Sequence, residues 1–203
     1  MCGLGKKENE KTMNYDIILC GVGGQGIVSL ASIITNSAAS EGLQVKQVEV
    51  HGMAQRGGMV LSNLRLSDQP IQSDQIPLGT AHLILSTEPL ESLRSLRFLS
   101  PDYGILITAR EEVKNFPAYP DSEELYLRIK NLPRSHIVNA RHMAAEAGSH
   151  HTINMVILGV ASAYLPIPAE TLREQIGKKF KDKSSSFMEI NIRAFNLGRK
   201  SNN

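Results

Sequence analysis

Residues 15–26, Tyr-Asp-Ile-Ile-Leu-Cys-Gly-Val-Gly-Gly-Gln-Gly, decide the fold of this chain. Residues 15–20 form a short apolar run, which is typical of a buried parallel strand. The six residues after it satisfy G-x-G-x-x-G, with the first glycine directly at the end of the strand. Residues 27–40 then repeat apolar side chains at helical spacing, and Gly42 closes the helix. This stretch therefore predicts a strand, a glycine loop and a helix, in that order.

Strands and helices continue to alternate along the chain. Strands are predicted at residues 44–50, 58–66, 82–86, 103–108 and 135–139, and helices at 88–99, 121–131, 140–147, 152–165, 169–180 and 184–197. The first fifty residues form one strand–helix–strand unit, which must cross over right-handed to lie in a parallel sheet. The pattern predicts an α/β fold, namely a Rossmann-like, doubly wound, mostly parallel sheet with extra C-terminal helices.

Length and composition limit the number of domains that the chain can form and the cellular location that we expect for it. Its 203 residues suffice for one large domain, which we expect at 14–198, after a disordered leader at 1–13 and before a tail at 199–203. The longest apolar stretch, 153–165, is shorter than the roughly 18–20 residues of a membrane span, and no secretory signal is visible. A net charge of +2 and few aromatic residues give no indication of nucleic-acid binding. We expect a soluble, cytoplasmic protein.

The glycine loop at residues 21–26 is the first candidate binding element. Its glycines allow a tight turn, and the N–H groups of the following helix attract anions. A nicotinamide site also needs an acidic residue about 20 residues further on, and Glu49 lies near that place. Three interpretations stay open: a dinucleotide site, close packing without a ligand, or contact with an anion, a phosphate of a larger ligand or a partner's backbone. The candidate residues are Gly21, Gly23, Gly24, Gln25 and Gly26.

A second polar loop leaves the carboxyl end of the second strand at residues 51–58. Ligands of open α/β sheets bind at this edge, and Arg56 could hold a phosphate or carboxylate with its planar guanidinium group. The candidate residues of this loop are His51, Gly52, Met53, Gln55, Arg56 and Gly57.

Together, GVGGQG at 21–26 and EVHGMAQRGG at 49–58 resemble the γ-type domain of 2-oxoacid:ferredoxin oxidoreductases. The resemblance extends to Glu88-Pro89-Leu90-Glu91, to Asn154 and to residues 191–198, and so covers about residues 14–198. Within the family, the two-subunit enzymes for aryl pyruvates such as indolepyruvate are the nearest in pattern. One departure is Ser149-His150-His151, where the family pattern is more often Asn-Pro followed by small residues.

The resemblance implies a function that this chain shares with a partner. Such enzymes oxidatively decarboxylate a 2-oxoacid to an acyl-CoA, and thiamine diphosphate and the iron–sulfur clusters belong to a large catalytic subunit, through which ferredoxin is reached. It implies that this chain holds none of these cofactors, that both loops face the large subunit and that coenzyme A can be contacted here. We assign no loop residue as a general acid or base, because a histidine such as His51 in a subunit-facing loop is more often a hydrogen-bonding scaffold. The composition agrees, because two cysteines cannot hold a four-cysteine cluster and no Gly-Asp-Gly stretch followed by Asn is present.

Two other classes of function stay open at this point: a stand-alone module that binds NAD, and an assembly subunit that touches no ligand. His150 and His151 are predicted to lie on a surface at a helix start, since adjacent residues do not share a helix face and no further metal ligand is near. From Arg173 onward the chain has eight Lys or Arg and three Asp or Glu. This basic face is either solvated or meets coenzyme A phosphates or an acidic partner.

Overall fold

The computed structural model describes residues 12–51 and 57–201, among which six strands and seven α-helices are found. The strands are β1 (Asn14–Val22), β2 (Gln44–His51), β3 (Met59–Ser67), β4 (Leu83–Ser86), β5 (Ile105–Ala109) and β6 (Ser135–Val138). The helices are α1 (Ile27–Ser40), α2 (Pro89–Arg94), α3 (Ser122–Lys130), α4 (Ala140–Ala147), α5 (Ile153–Ala161), α6 (Ala169–Lys179) and α7 (Ser185–Lys200). Two 3-10 turns lie at Leu96–Phe98 and His150–Thr152. The predicted α/β class is confirmed.

The six strands form one sheet in the order β2-β3-β1-β4-β5-β6. β1, β4, β5 and β6 are parallel neighbours, whereas β3 is antiparallel to both β1 and β2. β1 and β2 therefore point the same way, as the predicted crossover requires, but β3 lies between them. The short connection after β2 explains the direction of β3. Residues 52–58 are too few for the crossover that a parallel neighbour needs, so β2 and β3 pair as an antiparallel hairpin. The sheet is mostly parallel, as predicted.

Helices cover both faces of the sheet. Successive side chains of a strand point to opposite faces, so Ile17 and Leu19 belong to the large core formed with α1 and α4–α7, and Ile18 and Cys20 belong to the smaller core on the opposite face, below α2 and α3. β4 is buried along its whole length for the same reason. The carboxyl ends of the parallel strands lie at one edge of the sheet, which also carries the glycine loop, the end of β2 and the start of β3.

Two glycines bring α5 and α7 into backbone contact. A β carbon built at Gly159 would lie 2.1 Å from the carbonyl oxygen of Phe195, and one built at Gly198 would lie 1.9 Å from that of Val156. Residues 154–161 of α5 are all buried. The apolar helix predicted at 152–165 is thus a core element of this chain, covered by α7. It ends at Ala161, before a turn in which Pro166 and Pro168 disfavour helix.

The helix predicted at 88–99 breaks after Arg94. The carbonyl oxygens of Arg97 and Phe98 accept hydrogen bonds from the N–H groups of Gly79 and Ala81, at 3.0 and 2.8 Å. These bonds anchor the end of the segment to the residues just before β4, so it leaves the helix axis and forms a 3-10 turn.

The last helix, α7, runs to Lys200, past the predicted end at residue 197. None of the helices in the described part of the chain is long and apolar enough to cross a membrane.

Candidate functional site

The glycine loop joins the end of β1 to the start of α1. Gly21 still belongs to β1, where a β carbon would lie 2.0 Å from Oγ1 of Thr87, so this glycine is explained by close packing. Gly24 and Gly26 have φ angles of +97° and +81°, which side-chain-bearing residues rarely adopt. No heavy atom lies within 4 Å of a β carbon at Gly24. The space beside Gly24 is therefore open.

Gln25 fastens the glycine loop to the end of β4. Its Oε1 accepts hydrogen bonds from the N–H of Val22 and the hydroxyl of Thr87, both at 2.8 Å. Its Nε2 donates to the carbonyl oxygen of Thr87 at 3.3 Å. The sequence predicted Gln25 as a binding residue, but its side-chain amide is engaged within the chain. Gln25 therefore stabilises the conformation of the glycine loop by binding it to Thr87 at the end of β4.

The two predicted loops lie side by side. The N–H of Gly23 donates to the carbonyl oxygen of Gly58 at 2.8 Å, and Nδ2 of Asn115 donates to the carbonyl oxygen of Gly57. His51 is the last residue of β2, and Gly57, with φ of +76°, precedes β3. Gly52, Met53, Gln55 and Arg56 lie outside the described residues. The edge formed by residues 21–26, His51, Gly57 and Gly58 is called the loop edge below.

A cavity of about 220 Å³ opens beside the glycine loop. It is lined by Gly24, Gln25, Gly26, His150, His151, Ile153 and Asn154. Nδ2 of Asn154 donates to the carbonyl oxygen of Gly26 at 3.4 Å and ties the start of α5 to the loop. Both histidines were predicted to lie on a helix-start surface, and both are exposed, yet they also face this cavity. In the sequence, the feature that distinguished them was the departure from the family pattern at residues 149–151, and it did not indicate this cavity.

Exposed apolar side chains surround the loop edge. Val28, in the first turn of α1, is 49% exposed, Val50 at the end of β2 is 48% exposed, and Met59 at the start of β3 is 38% exposed. A second cavity of about 240 Å³ lies between the glycine loop and Val60, with Val22, Ile27 and Val28 in its lining. Apolar groups of this kind suit contact with another protein surface.

The Glu88-Pro89-Leu90-Glu91 stretch has a structural role. The buried Glu88 caps α2, since its carboxylate accepts a hydrogen bond from the N–H of Glu91 at 2.8 Å. The hydroxyl of Tyr119 also donates to Glu88, and burial, together with this contact, raises the pKa of Tyr119 above its usual range. Burial likewise raises the pKa of Glu91. The motif therefore starts α2 and fixes the segment before α3.

The geometry disfavours a dinucleotide site. A Rossmann site needs its acidic residue at the end of the strand beside β1, whereas Glu49 lies on β2, beyond β3. Two strand spacings of about 4.8 Å each separate β2 from β1. Oε1 of Glu49 also accepts a hydrogen bond from Nε2 of Gln47 at 2.6 Å.

Neither sulfur nor metal chemistry is indicated where the chain is described. Cys20 is buried, and burial raises the pKa of its thiol to about 12, so it stays protonated. Within residues 12–51 and 57–201, no group of three or more His, Cys, Asp or Glu side chains could hold a metal ion.

Comparison with known proteins agrees with this fold. The sequence pattern of the pyruvate ferredoxin/flavodoxin oxidoreductase family matches residues 16–201. The chain is 34% identical, over 193 residues, to indolepyruvate oxidoreductase subunit IorB of Methanothermobacter thermautotrophicus, covering 92% of this chain and 96% of that protein.

Two solved structures share the fold. Pyruvate oxidoreductase subunit PORC from Thermotoga maritima superposes with a TM-score of 0.71 at 20% identity, covering 92% of this chain and 96% of that one. The 2-oxoglutarate:ferredoxin oxidoreductase from Magnetococcus marinus, solved with 2-oxoglutarate, coenzyme A and succinyl-CoA, superposes with a TM-score of 0.73 at 22% identity. That match covers 92% of this chain but spans only 30% of the longer chain.

The fold is that of an α/β protein with two adjacent loops at one edge of its sheet. The chain belongs to the pyruvate ferredoxin/flavodoxin oxidoreductase family. Within that family it is homologous to the small subunits of the 2-oxoacid:ferredoxin oxidoreductases, which include the archaeal IorB proteins. This relationship supports the interpretation as an oxidoreductase subunit over that of a stand-alone nucleotide-binding module.

Proposed function

We infer that this chain is the small subunit of a cytoplasmic oxidoreductase for aryl pyruvates such as indolepyruvate. The observation that carries this inference is the end-to-end match to an indolepyruvate oxidoreductase subunit. In the reaction, a 2-oxoacid anion, coenzyme A and two oxidised ferredoxins give an acyl-CoA, carbon dioxide, two reduced ferredoxins and a proton. Each ferredoxin accepts one electron, and the thioester forms between the acyl carbon and the coenzyme A sulfur.

The proposal places the redox cofactors on a large partner subunit. This chain has only two cysteines, too few for a four-cysteine cluster, and a buried, protonated Cys20 is a poor iron ligand. Thiamine diphosphate and the iron–sulfur clusters would therefore supply their chemistry from the partner, and electrons would reach ferredoxin through it. The residues of this chain would position groups and exclude water, without acting as general acid or base.

The loop edge is the proposed contact with the large subunit. Val28, Val50 and Met59 are exposed there, beside backbone groups of the glycine loop, and an interface needs such an apolar centre. His51, Gly52, Met53, Gln55, Arg56 and Gly57 would extend the same edge. The larger relative from Magnetococcus marinus contains this fold within one long chain, which is in keeping with a domain that packs against the rest of such an enzyme.

The glycine loop is the proposed contact with coenzyme A. The left-handed Gly24 leaves open space and bare backbone before the start of α1, whereas the space beside Gly26 is occupied by Nδ2 of Asn154. A helix start favours phosphate groups. No acidic residue lies in the first turn of α1. Gly21, Gly23 and Gln25 would support the loop, and coenzyme A would bind between this chain and its partner.

Co-expression with the large subunit tests this function. We expect reduction of ferredoxin with indolepyruvate and coenzyme A from the purified complex and none from either subunit alone. A higher kcat/KM for indolepyruvate than for pyruvate or branched-chain 2-oxoacids would identify the substrate class. Turnover or a bound cluster in this chain alone would contradict the proposal, and so would NAD binding to it in calorimetry.

Replacing Val50 by aspartate tests the docking edge. We expect the dissociation constant of the two-subunit complex to rise about tenfold or more, because a desolvated, unpaired carboxylate is costly at an interface. The matched control is Leu127→Asp, since Leu127 is also exposed, at 59%, but lies on α3. Surface plasmon resonance against the immobilised large subunit gives both values. Equal affinities for the two variants would show that the partner docks elsewhere.

A further inference from the structure

The two histidines beside the glycine loop have no part in the function proposed so far. His150 and His151 belong to the 3-10 turn before α5, and both line the 220 Å³ cavity that Gly24 and Gly26 line from the opposite side. They come from a segment more than a hundred residues distant along the chain. Their position beside this loop is therefore set by the tertiary structure, and the lining of the cavity indicates which kind of ligand they could contact.

The backbone on both sides of the histidines is anchored. Gly148, with φ of +115°, ends α4. Oγ of Ser149 then accepts a hydrogen bond from the N–H of His151 at 3.3 Å, and the hydroxyl of Thr152 donates to the carbonyl oxygen of Ser149 at 2.8 Å. Asn154 follows and is bonded to Gly26. These hydrogen bonds fix the backbone of the turn beside the glycine loop, and the two exposed histidine side chains extend from it.

The composition of the cavity favours an anion. Its lining includes two imidazoles, an asparagine amide and the glycine loop backbone, but neither Asp nor Glu. An imidazole donates hydrogen bonds through one ring nitrogen when neutral and through both when protonated. Nδ2 of Asn154 uses one N–H on the carbonyl oxygen of Gly26 and keeps a second. The lining therefore offers hydrogen-bond donors and no carboxylate, and an anionic ligand complements it.

The size of the cavity restricts which part of a ligand it holds. Sites for whole cofactors usually have volumes of about 300–1,000 Å³, so 220 Å³ is too small for an entire coenzyme A molecule. It suits one compact anionic group of a ligand that continues outside. If the proposed function is right, coenzyme A is that ligand, and its diphosphate is the compact group closest to the middle of the molecule.

We propose that His150 and His151 bind the diphosphate of coenzyme A and hold it against the glycine loop. This inference rests on the proposed function for the identity of the ligand, and it assigns to the two histidines a binding role. The imidazoles supply side-chain hydrogen-bond donors, which the backbone of the glycine loop alone lacks. Both side chains would then set the affinity for coenzyme A without taking part in bond making or breaking.

The test compares the complex of this chain with its large subunit in wild-type form and with His150→Ala and His151→Ala combined. We expect the KM for coenzyme A to rise about tenfold or more, as for the loss of charge-assisted hydrogen bonds, with kcat unchanged. Dephospho-coenzyme A, which keeps the diphosphate, should show the same rise. Pantetheine, which has no phosphate, should be used equally well by both forms. The matched control is His142→Ala, because His142 is exposed on α4 and does not line the cavity.

Replacing both histidines by lysine should restore the KM for coenzyme A, since a hydrogen-bond donor for the diphosphate returns to each position. An unchanged KM in the double alanine variant would overturn the inference, and so would a rise for coenzyme A that dephospho-coenzyme A does not share. Equal losses with pantetheine would show a structural effect and also overturn it. Failure of the proposed function looks different, because the wild-type complex would then form no acyl-CoA at all.

Discussion

Replacing Gly198 by alanine is expected to lower the free energy of unfolding of this chain by about 3 kcal/mol, near the upper end for an overpacked core. The new β carbon would lie 1.9 Å from the carbonyl oxygen of Val156 and 2.8 Å from its carbonyl carbon. Both are backbone atoms of the buried α5, so no side-chain rotation can make room. α5 and α7 would have to separate, and the contacts of the fully buried Phe195 would be lost with them.

The matched control is Gly177→Ala in α6. There the nearest atom to a new β carbon is Sδ of Met188, at 4.0 Å. The substitution should raise the free energy of unfolding by about 0.5–1 kcal/mol, because alanine favours helix over glycine. Urea unfolding followed by circular dichroism measures both changes. A Gly198→Ala variant as stable as the wild type would show that α5 and α7 do not meet through their backbones.

Features set by neighbours along the chain could be predicted from the sequence. The strand before Gly21, the glycine loop and α1 follow one another within 27 residues from Asn14 to Ser40, so apolar spacing and glycines were enough to predict them. The same holds for α3, which starts after Asp121 as the capping residue. Both loops were predicted at the carboxyl ends of parallel strands, and hence at one edge of the sheet. The hydrogen bond between Gly23 and Gly58, by contrast, continues the antiparallel pairing of Val22 with Met59 and depends on the position of β3.

Features set by distant parts of the chain could not be predicted in this way. The position of β3 between β1 and β2 depends on its pairing with β1, a strand distant along the chain. The contact between Gly159 and α7 joins segments whose separate patterns say only that each is helical. Likewise, His150 and His151 face the glycine loop because α5 packs beside α1, which no local pattern records.

Gln25 was predicted from the sequence as a residue of the glycine loop, and the structure adds its contact with Thr87. Its replacement by glutamate has the largest expected effect on the KM for coenzyme A. One carboxylate oxygen can still accept hydrogen bonds from Val22 and Thr87, as Oε1 does now. The other would face the carbonyl oxygen of Thr87, to which Nε2 now donates. The loop therefore keeps most of its anchoring, but a negative charge is added to a residue that lines the cavity proposed for the diphosphate.

The KM of the two-subunit complex for coenzyme A should consequently rise about a hundredfold in Gln25→Glu. At an effective dielectric constant of about 20, two like charges about 6 Å apart repel by roughly 3 kcal/mol, and each 1.4 kcal/mol corresponds to about a factor of ten. The matched control is Gln72→Glu, which adds the same charge at an exposed position after β3, at the opposite edge of the sheet. Steady-state kinetics with varied coenzyme A measure both. A Gln25→Glu complex with the KM of the control would place the phosphates of coenzyme A away from the glycine loop, because a charge this close to a bound phosphate cannot leave its affinity unchanged.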